Sequence, residues 1–273
     1  MCIRHIVPAA AFAIVFFAQS AGHAQQRIVI DGSSGTAPLV AALAKDHAAA
    51  GGVAVAVGKG LGGKARFAAL ADSKIDIAMF SHGLDLAKVK KMGQAAHLFA
   101  KAPVVFAIHQ STKVAGLTEA QICAVYDGRI RNWKELGGPD LAIAAFARPD
   151  NEVDTEVIRA GIKCLRGLKF ADGVTIAKRS GDMTKALVAA PGAIGMTSSV
   201  AVEQNRGTLQ ALSVEGIAPS IANLEAGRYR LARDAWLVTH NPPSAEVKGF
   251  LDFVRSPKGA SVIRMNGAVA IRP

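Results

Sequence analysis

The chain has 273 residues, 51% of them hydrophobic and 19% charged, enough to bury a sizeable core in one large domain or two lobes. Aromatics make up only 5% while glycine and alanine abound, which favours close-packed α/β layers over an aromatic-rich sandwich. The formal charge is +11, but Lys and Arg are scattered without aromatic interleaving, which speaks against a nucleic-acid partner and for a solvated basic surface able to draw small anions.

Arg4 and His5 precede the apolar run Ile6–Phe17, and small residues continue to Ala24. Residues 1–24 therefore read as a signal peptide, with Gly22-His23-Ala24 offering small side chains at the two positions a signal peptidase inspects; the run is short for a membrane span. An exported mature chain from about Gln25 is expected. Cys2 lies before the apolar run. Cys123 and Cys164 remain, and an oxidising compartment allows them one pairing; two buried thiols fit the pattern as well.

Arg27–Ile30 reads as a strand and Pro38–Ala50 as a helix closed by Gly51-Gly52. Val53–Val57 and Ile75–Met79 read as further strands, with the helical stretch Lys64–Ala71 between them. This alternation predicts a parallel sheet, in which ligands bind at the carboxyl ends of the strands. The turns at residues 31–36 and 80–82 then share one edge. Pro38 belongs in the first turn of its helix, so the helix starts between Ser34 and Ala37, beside the hydroxyls of Ser33, Ser34 and Thr36. One hydroxyl suffices for a cap; three, next to free N–H groups and the positive end of the dipole, also suit an anion. "GKGLGG", residues 58–63, has dinucleotide-loop spacing, but no acidic residue closes the next strand, so a tight turn is the better reading.

Pro103–His109 and Leu141–Phe146 are apolar strands, and Thr118 with Gln121 has capping-box spacing before a helix. Arg148–Thr155 is polar and leads to a helical stripe over Glu156–Leu168. Gly192–Met196 and Arg230–Thr239 read as strands, and Ser244–Met265 as helix except near Pro257. There is no G-x-S-x-G elbow, no H-E-x-x-H and no cysteine pair at metal spacing, so no catalytic residue, metal or cofactor is assigned.

"GSSGTAPL", "KIDIAMFSHGL", "LTEAQICAVYDGRIRNWKELGG" (residues 117–138), "GAIGM" and "LSVEGIAPSIANLEAGRYRLAR" follow one another along the chain. In that order they resemble the segments of phosphate-binding-protein-like type 2 periplasmic binding proteins, over nearly the whole mature length. The resemblance implies a two-lobed α/β fold with the ligand held between lobes, lobe one comprising residues 25–105 and 232–273 and lobe two residues 106–231. It implies ligand contacts from Ser33, Ser34, Gly35 and Thr36 on the first turn, and from Ser81 and His82 after the third strand. On lobe two it points to Arg148, Asn151, Glu152, Asp154 and Thr155. The implied function is periplasmic capture of an inorganic oxyanion, phosphate foremost, by a monomer that delivers it to an ABC permease in the inner membrane. A diverged exported binding or sensor module that no longer takes phosphate is the alternative. An exported phosphatase-like enzyme ranks third, for want of a nucleophile–base set.

Two departures bear on the ligand. Asn151-Glu152-Val153-Asp154 replaces the family's G-S-G-T, which sets two carboxylates where an anion is usually met, and His82 stands where arginine is common. An unpaired carboxylate facing a dianion in a dry site is costly. The expectation is that Arg148 converges with the hydroxyls of Ser34 and Thr36, and that Glu152 and Asp154 weaken binding unless one turns to Arg148 or solvent.

Overall fold

The computed structural model describes residues 27–271; the expected signal peptide lies outside them. β1 (Arg27–Gly32), α1 (Ala37–Ala49), β2 (Ala54–Val57), α2 (Gly63–Ala71) and β3 (Ile77–Ser81) wind into a parallel β2-β1-β3 sheet. α3 (Leu86–Lys91) leads into β4 (Gln94–His109), a strand of 16 residues. The apolar run from Pro103 marks only its second half; Gln94, His97 and Lys101 interrupt the first, so no run announces it.

β5 (Gly116–Leu117), α4 (Glu119–Tyr126), β6 (Ala144–Ala147), α5 (Val153–Gly161), β7 (Thr175–Ile176), α6 (Ser180–Ala189), β8 (Ala193–Ser198), α7 (Ser199–Gln204), β9 (Leu209–Ala211) and β10 (Ser213–Val214) follow. After α8 (Ile221–Glu225) the chain returns through β11 (Ala232–His240), α9 (Ala245–Arg255), α10 (Pro257–Met265) and β12 (Val269–Ala270). The Thr118–Gln121 capping box is formed at the start of α4. Pro257, which cannot continue α9, opens α10 instead, with the Ser256 side chain capping it. α5 begins three residues earlier than its apolar stripe suggests and stops at Gly161, where the chain tightens into a short 3-10 turn over Lys163–Leu165.

Most strands form one sheet in the order β2-β1-β3-β11-β4-β8-β6-β7, with β9 and β12 also pairing with β4, while β5 and β10 pair in a separate two-stranded sheet. β4 is the shared element. Its residues up to Pro103 run antiparallel to β11, and those from Val104 to Ile108 antiparallel to β8. The strand therefore changes partners between Pro103 and Val104, and the return of the chain lies alongside: Val104 N donates to Leu231 O (2.8 Å) and the Tyr229 hydroxyl to Val104 O (2.7 Å). Each half has its own core. Ile28, Ile30, Leu43, Met79, Leu237 and Phe250 pack in the first, and Phe106, Ile122, Tyr126, Trp133, Ile194 and Met196 in the second. Cys123 and Cys164 are bonded, with Cα atoms 6.2 Å apart, tying α4 to the turn after α5. α7 belongs to both halves: Val200 packs in the first core and the Ser199 hydroxyl donates to Gly267 O (2.6 Å), while Val202 packs with Val105, Ala107 and Leu209 of the second.

Candidate functional site

The turn after β1 is held against β3 by its backbone. Ser33 N donates to Met79 O (2.9 Å), and Gly32, at φ 141°, lies so close that a Cβ would overlap Met79 O. Glycine is needed there on both counts. The hydroxyls then link the two strand ends: Ser33 Oγ and Ser81 Oγ are 2.9 Å apart, Thr36 Oγ1 and Ser81 Oγ 3.1 Å. Thr36 occupies the N-cap of α1 without making a capping bond, since its hydroxyl is turned to Ser81. Among the described residues the N–H groups of Ser34 and Gly35 have no hydrogen-bond acceptor. The glycine loop closes over this turn: Leu61 N donates to Gly32 O (2.8 Å), and the Asp31 carboxylate accepts from Gly32 N (2.6 Å) and Gly60 N (3.0 Å). It serves as a tight turn that fixes the anion-type turn beside it.

Ser33 and Ser34 open into a cleft of about 820 Å³, whose walls come from both halves of the molecule. Ser81, His82, Asn151 and Glu152 also line it. Gly35, Thr36, Arg148, Asp154 and Thr155 do not, although the sequence places them with the ligand. Arg148 is the sharpest departure. Its guanidinium, 1% exposed, donates to Glu152 Oε2 (2.7 Å) and to Ala177 O (3.3 Å), and so does not converge with Ser34 and Thr36. Thr155, fully buried, donates to Arg148 O (3.1 Å) and shapes the turn rather than the cleft. His82 Nδ1 sits 3.8 Å from Asp234 Oδ2, at the cleft wall.

The second carboxylate is also neutralised. Asp154, 3% exposed, accepts from Arg233 Nη1 at 2.6 Å, and Arg233 Nη2 donates to Gly35 O at 2.8 Å. One guanidinium from β11 thus joins α5 to the first turn of lobe one. A Cβ at position 35 would overlap that guanidinium, so a larger residue there would displace Arg233. The carboxylates at 152 and 154 each hold an arginine.

Positive charge reaches the cleft from elsewhere. Arg66 on α2 lies beside the serine turn, donates to Met79 O (3.1 Å) and stacks over the Phe80 ring at 4.8 Å. Burial lowers its pKa, while Glu152 and Asp31 pull it back up; a guanidinium stays charged through such shifts. Lys64 and Lys88 flank it on the same wall, and Lys178 and Arg179 face it from the other. Sequence reasoning did not select Arg66, Lys178, Arg179 or Arg233. One signal was available: a carboxylate at 154, on the buried face of α5, requires a cation.

Two α/β halves joined through a shared strand, with a hydroxyl-rich turn and a cationic cleft between them, define a two-lobed binding protein of the type 2 periplasmic fold. The chain belongs to the PBP superfamily domain family, which matches residues 19–258. It is 30% identical over 166 residues to phosphate-binding protein PstS of Bacillus subtilis (strain 168), covering 59% of this chain and 52% of that protein. It is 24% identical over 203 residues to phosphate-binding protein PstS of Borreliella burgdorferi, covering 72% of each. The chain thus spans about half the length of the Bacillus relative. Its fold is shared with a Clostridium perfringens protein described as a phosphate ABC transporter substrate-binding protein and solved with phosphate bound (TM-score 0.72, 23% identity, 90% of this chain and 100% of that one). It is also shared with an ABC-type phosphate transport receptor from Vibrio cholerae (TM-score 0.59, 24% identity, 89% and 99%).

Proposed function

We propose that this protein is an exported solute-binding protein that captures an oxyanion of the phosphate type and presents it to an ABC permease in the inner membrane, without making or breaking a bond. The carrying observation is the turn Ser33–Gly35: the free backbone N–H of Ser34 and the serine hydroxyls stand beside Ser81 and Arg66 on the lining of a cleft between two lobes, with the free N–H of Gly35 next in the turn. Such a set binds an anion by directed donors plus charge. The relatives named as phosphate-binding proteins support phosphate as the reference ligand. In this reading Arg66 supplies the charge first assigned to Arg148, and Glu152, which lines the cleft, accepts from a protonated phosphate oxygen. Lobe one comprises residues 25–105 and 232–273 and lobe two the segment between, the chain acts as a monomer in the periplasm, and residues 1–24 direct its export. Among the described residues no helix is long and apolar enough to cross a membrane.

One observation favours a second reading, a diverged module of the same fold that has lost phosphate: Arg148 and Arg233 are both already engaged by the chain's own carboxylates. Titration calorimetry with phosphate, arsenate, sulfate and molybdate separates the two. Phosphate binding that Arg66→Ala abolishes supports capture through this turn. Absence of heat with every oxyanion supports the diverged module.

A further inference from the structure

We infer that the cleft takes its phosphate group as one end of a larger anion that carries a second negative group, and this rests on the oxyanion reading above. Space is the first reason. The cleft of about 820 Å³ falls in the range of roughly 300–1,000 Å³ typical of sites for small organic ligands, far more than one tetrahedral oxyanion fills. The halves already touch behind the cleft lining, where Arg233 joins Asp154 of α5 to Gly35 O of the first turn.

Charge is the second reason. Lys64, Arg66, Lys88, Lys178 and Arg179 line the cleft, and none takes part in an ion pair among the described residues. Of the two acids on the same lining, Glu152 is paired with Arg148, and Asp85 caps α3 by accepting from Lys88 N. A single phosphate on the Ser33–Gly35 turn engages Arg66 and leaves Lys178 and Arg179, on the facing wall, without a counter-charge. The apolar side chains of Leu61 and Leu84 lie on the same cleft lining and suit the body of a ligand between two charged ends. The shared chemistry is a phosphate group joined to a second anion, either another phosphate or a carboxylate.

The test is titration calorimetry on the mature chain at physiological ionic strength with orthophosphate, pyrophosphate, phosphoglycolate and glycerol phosphate. Pyrophosphate or phosphoglycolate should bind about tenfold more tightly than orthophosphate or glycerol phosphate, the increment expected of two partly exposed ion pairs. Lys178→Ala with Arg179→Ala, both exposed positions, should bring the four affinities together. A preference for pyrophosphate assigns the second group to a condensed phosphate, and a preference for phosphoglycolate assigns it to a carboxylate. Orthophosphate binding as tightly as either bis-anion overturns this inference while leaving phosphate capture intact. No binding by any of the four overturns both.

Discussion

The buried pair Asp154–Arg233 is the most consequential contact for stability and for the relation of the lobes, and Asp154→Asn tests it. At 2.6 Å the gross Coulomb attraction is about 6 kcal/mol at an effective dielectric of ~20, most of it offset by the desolvation of both ions. Removal of one partner does not recover that desolvation for the other. Arg233, 5% exposed, keeps Gly35 O as an acceptor but loses its counter-charge. The expected loss is about 3–5 kcal/mol, the range for an unpaired buried ion. In a chain of this size that corresponds to a fall in Tm of about 10 °C. The assay is a double-mutant cycle by denaturant and thermal unfolding with Asp154→Asn, Arg233→Met and both together, accompanied by small-angle scattering. The double variant should be far less destabilised than the sum of the singles, with a coupling above about 2 kcal/mol. Asp154→Asn should also enlarge the radius of gyration, because the pair links α5 to the first turn of lobe one. A cost below about 1 kcal/mol for Asp154→Asn, the range of a surface ion pair, would refute the buried-bridge reasoning.

Four further outcomes are expected. Replacing Cys123 and Cys164 by serine should cost about 4 kcal/mol, the loop-closure value for a separation of 41 residues, and unfolding with and without reductant checks it; an unchanged midpoint would contradict the bond. Trp133 is fully buried and its Nε1 donates to Gly192 O at 2.8 Å, a carbonyl that also accepts from Ala144 N (3.1 Å), so Trp133→Phe should cost about 1 kcal/mol by removing one of the two bonds, read from the denaturation midpoint. His47 is buried against Phe250 and Phe253, and burial lowers its pKa below the ordinary value. The unfolded chain therefore binds the proton first as pH falls below about 6.5, and the folded state loses stability through that window, with no such loss above it. His47→Gln should flatten this part of the Tm profile; a difference between wild type and variant that stays constant from about pH 7.5 to 5 would sink the assignment. Finally, Glu152→Gln should narrow the preference for phosphate over sulfate about tenfold in competition calorimetry, because only a carboxylate both accepts from a protonated phosphate and repels an anion without a proton.

Much of the fold was legible locally. The β1–turn–α1 unit follows from an apolar run, small residues and Pro38; the α4 start follows from Thr118 and Gln121; the α9–α10 break follows from Pro257. These signals act over a few residues, through caps, φ restrictions and periodicity, so one sequence suffices to read them. The shared edge of Ser33 and Ser81 was equally readable, since a parallel sheet brings the ends of its strands together. The first half of β4 was not, because it is held by pairing with β11 from a distant segment and stays largely half-buried, so it needs no apolar run. The site divides in the same way. The donors of the turn at residues 33–36 were visible in the sequence, but the partners of the charged groups were decided only by the tertiary structure. Arg233 meets Asp154 across 79 residues and Arg66 reaches the serine turn from another helix, while Arg148 turns to Glu152 four residues on. Charges pair through space, by distance and by the dielectric that burial creates, and neither quantity is written in residue order.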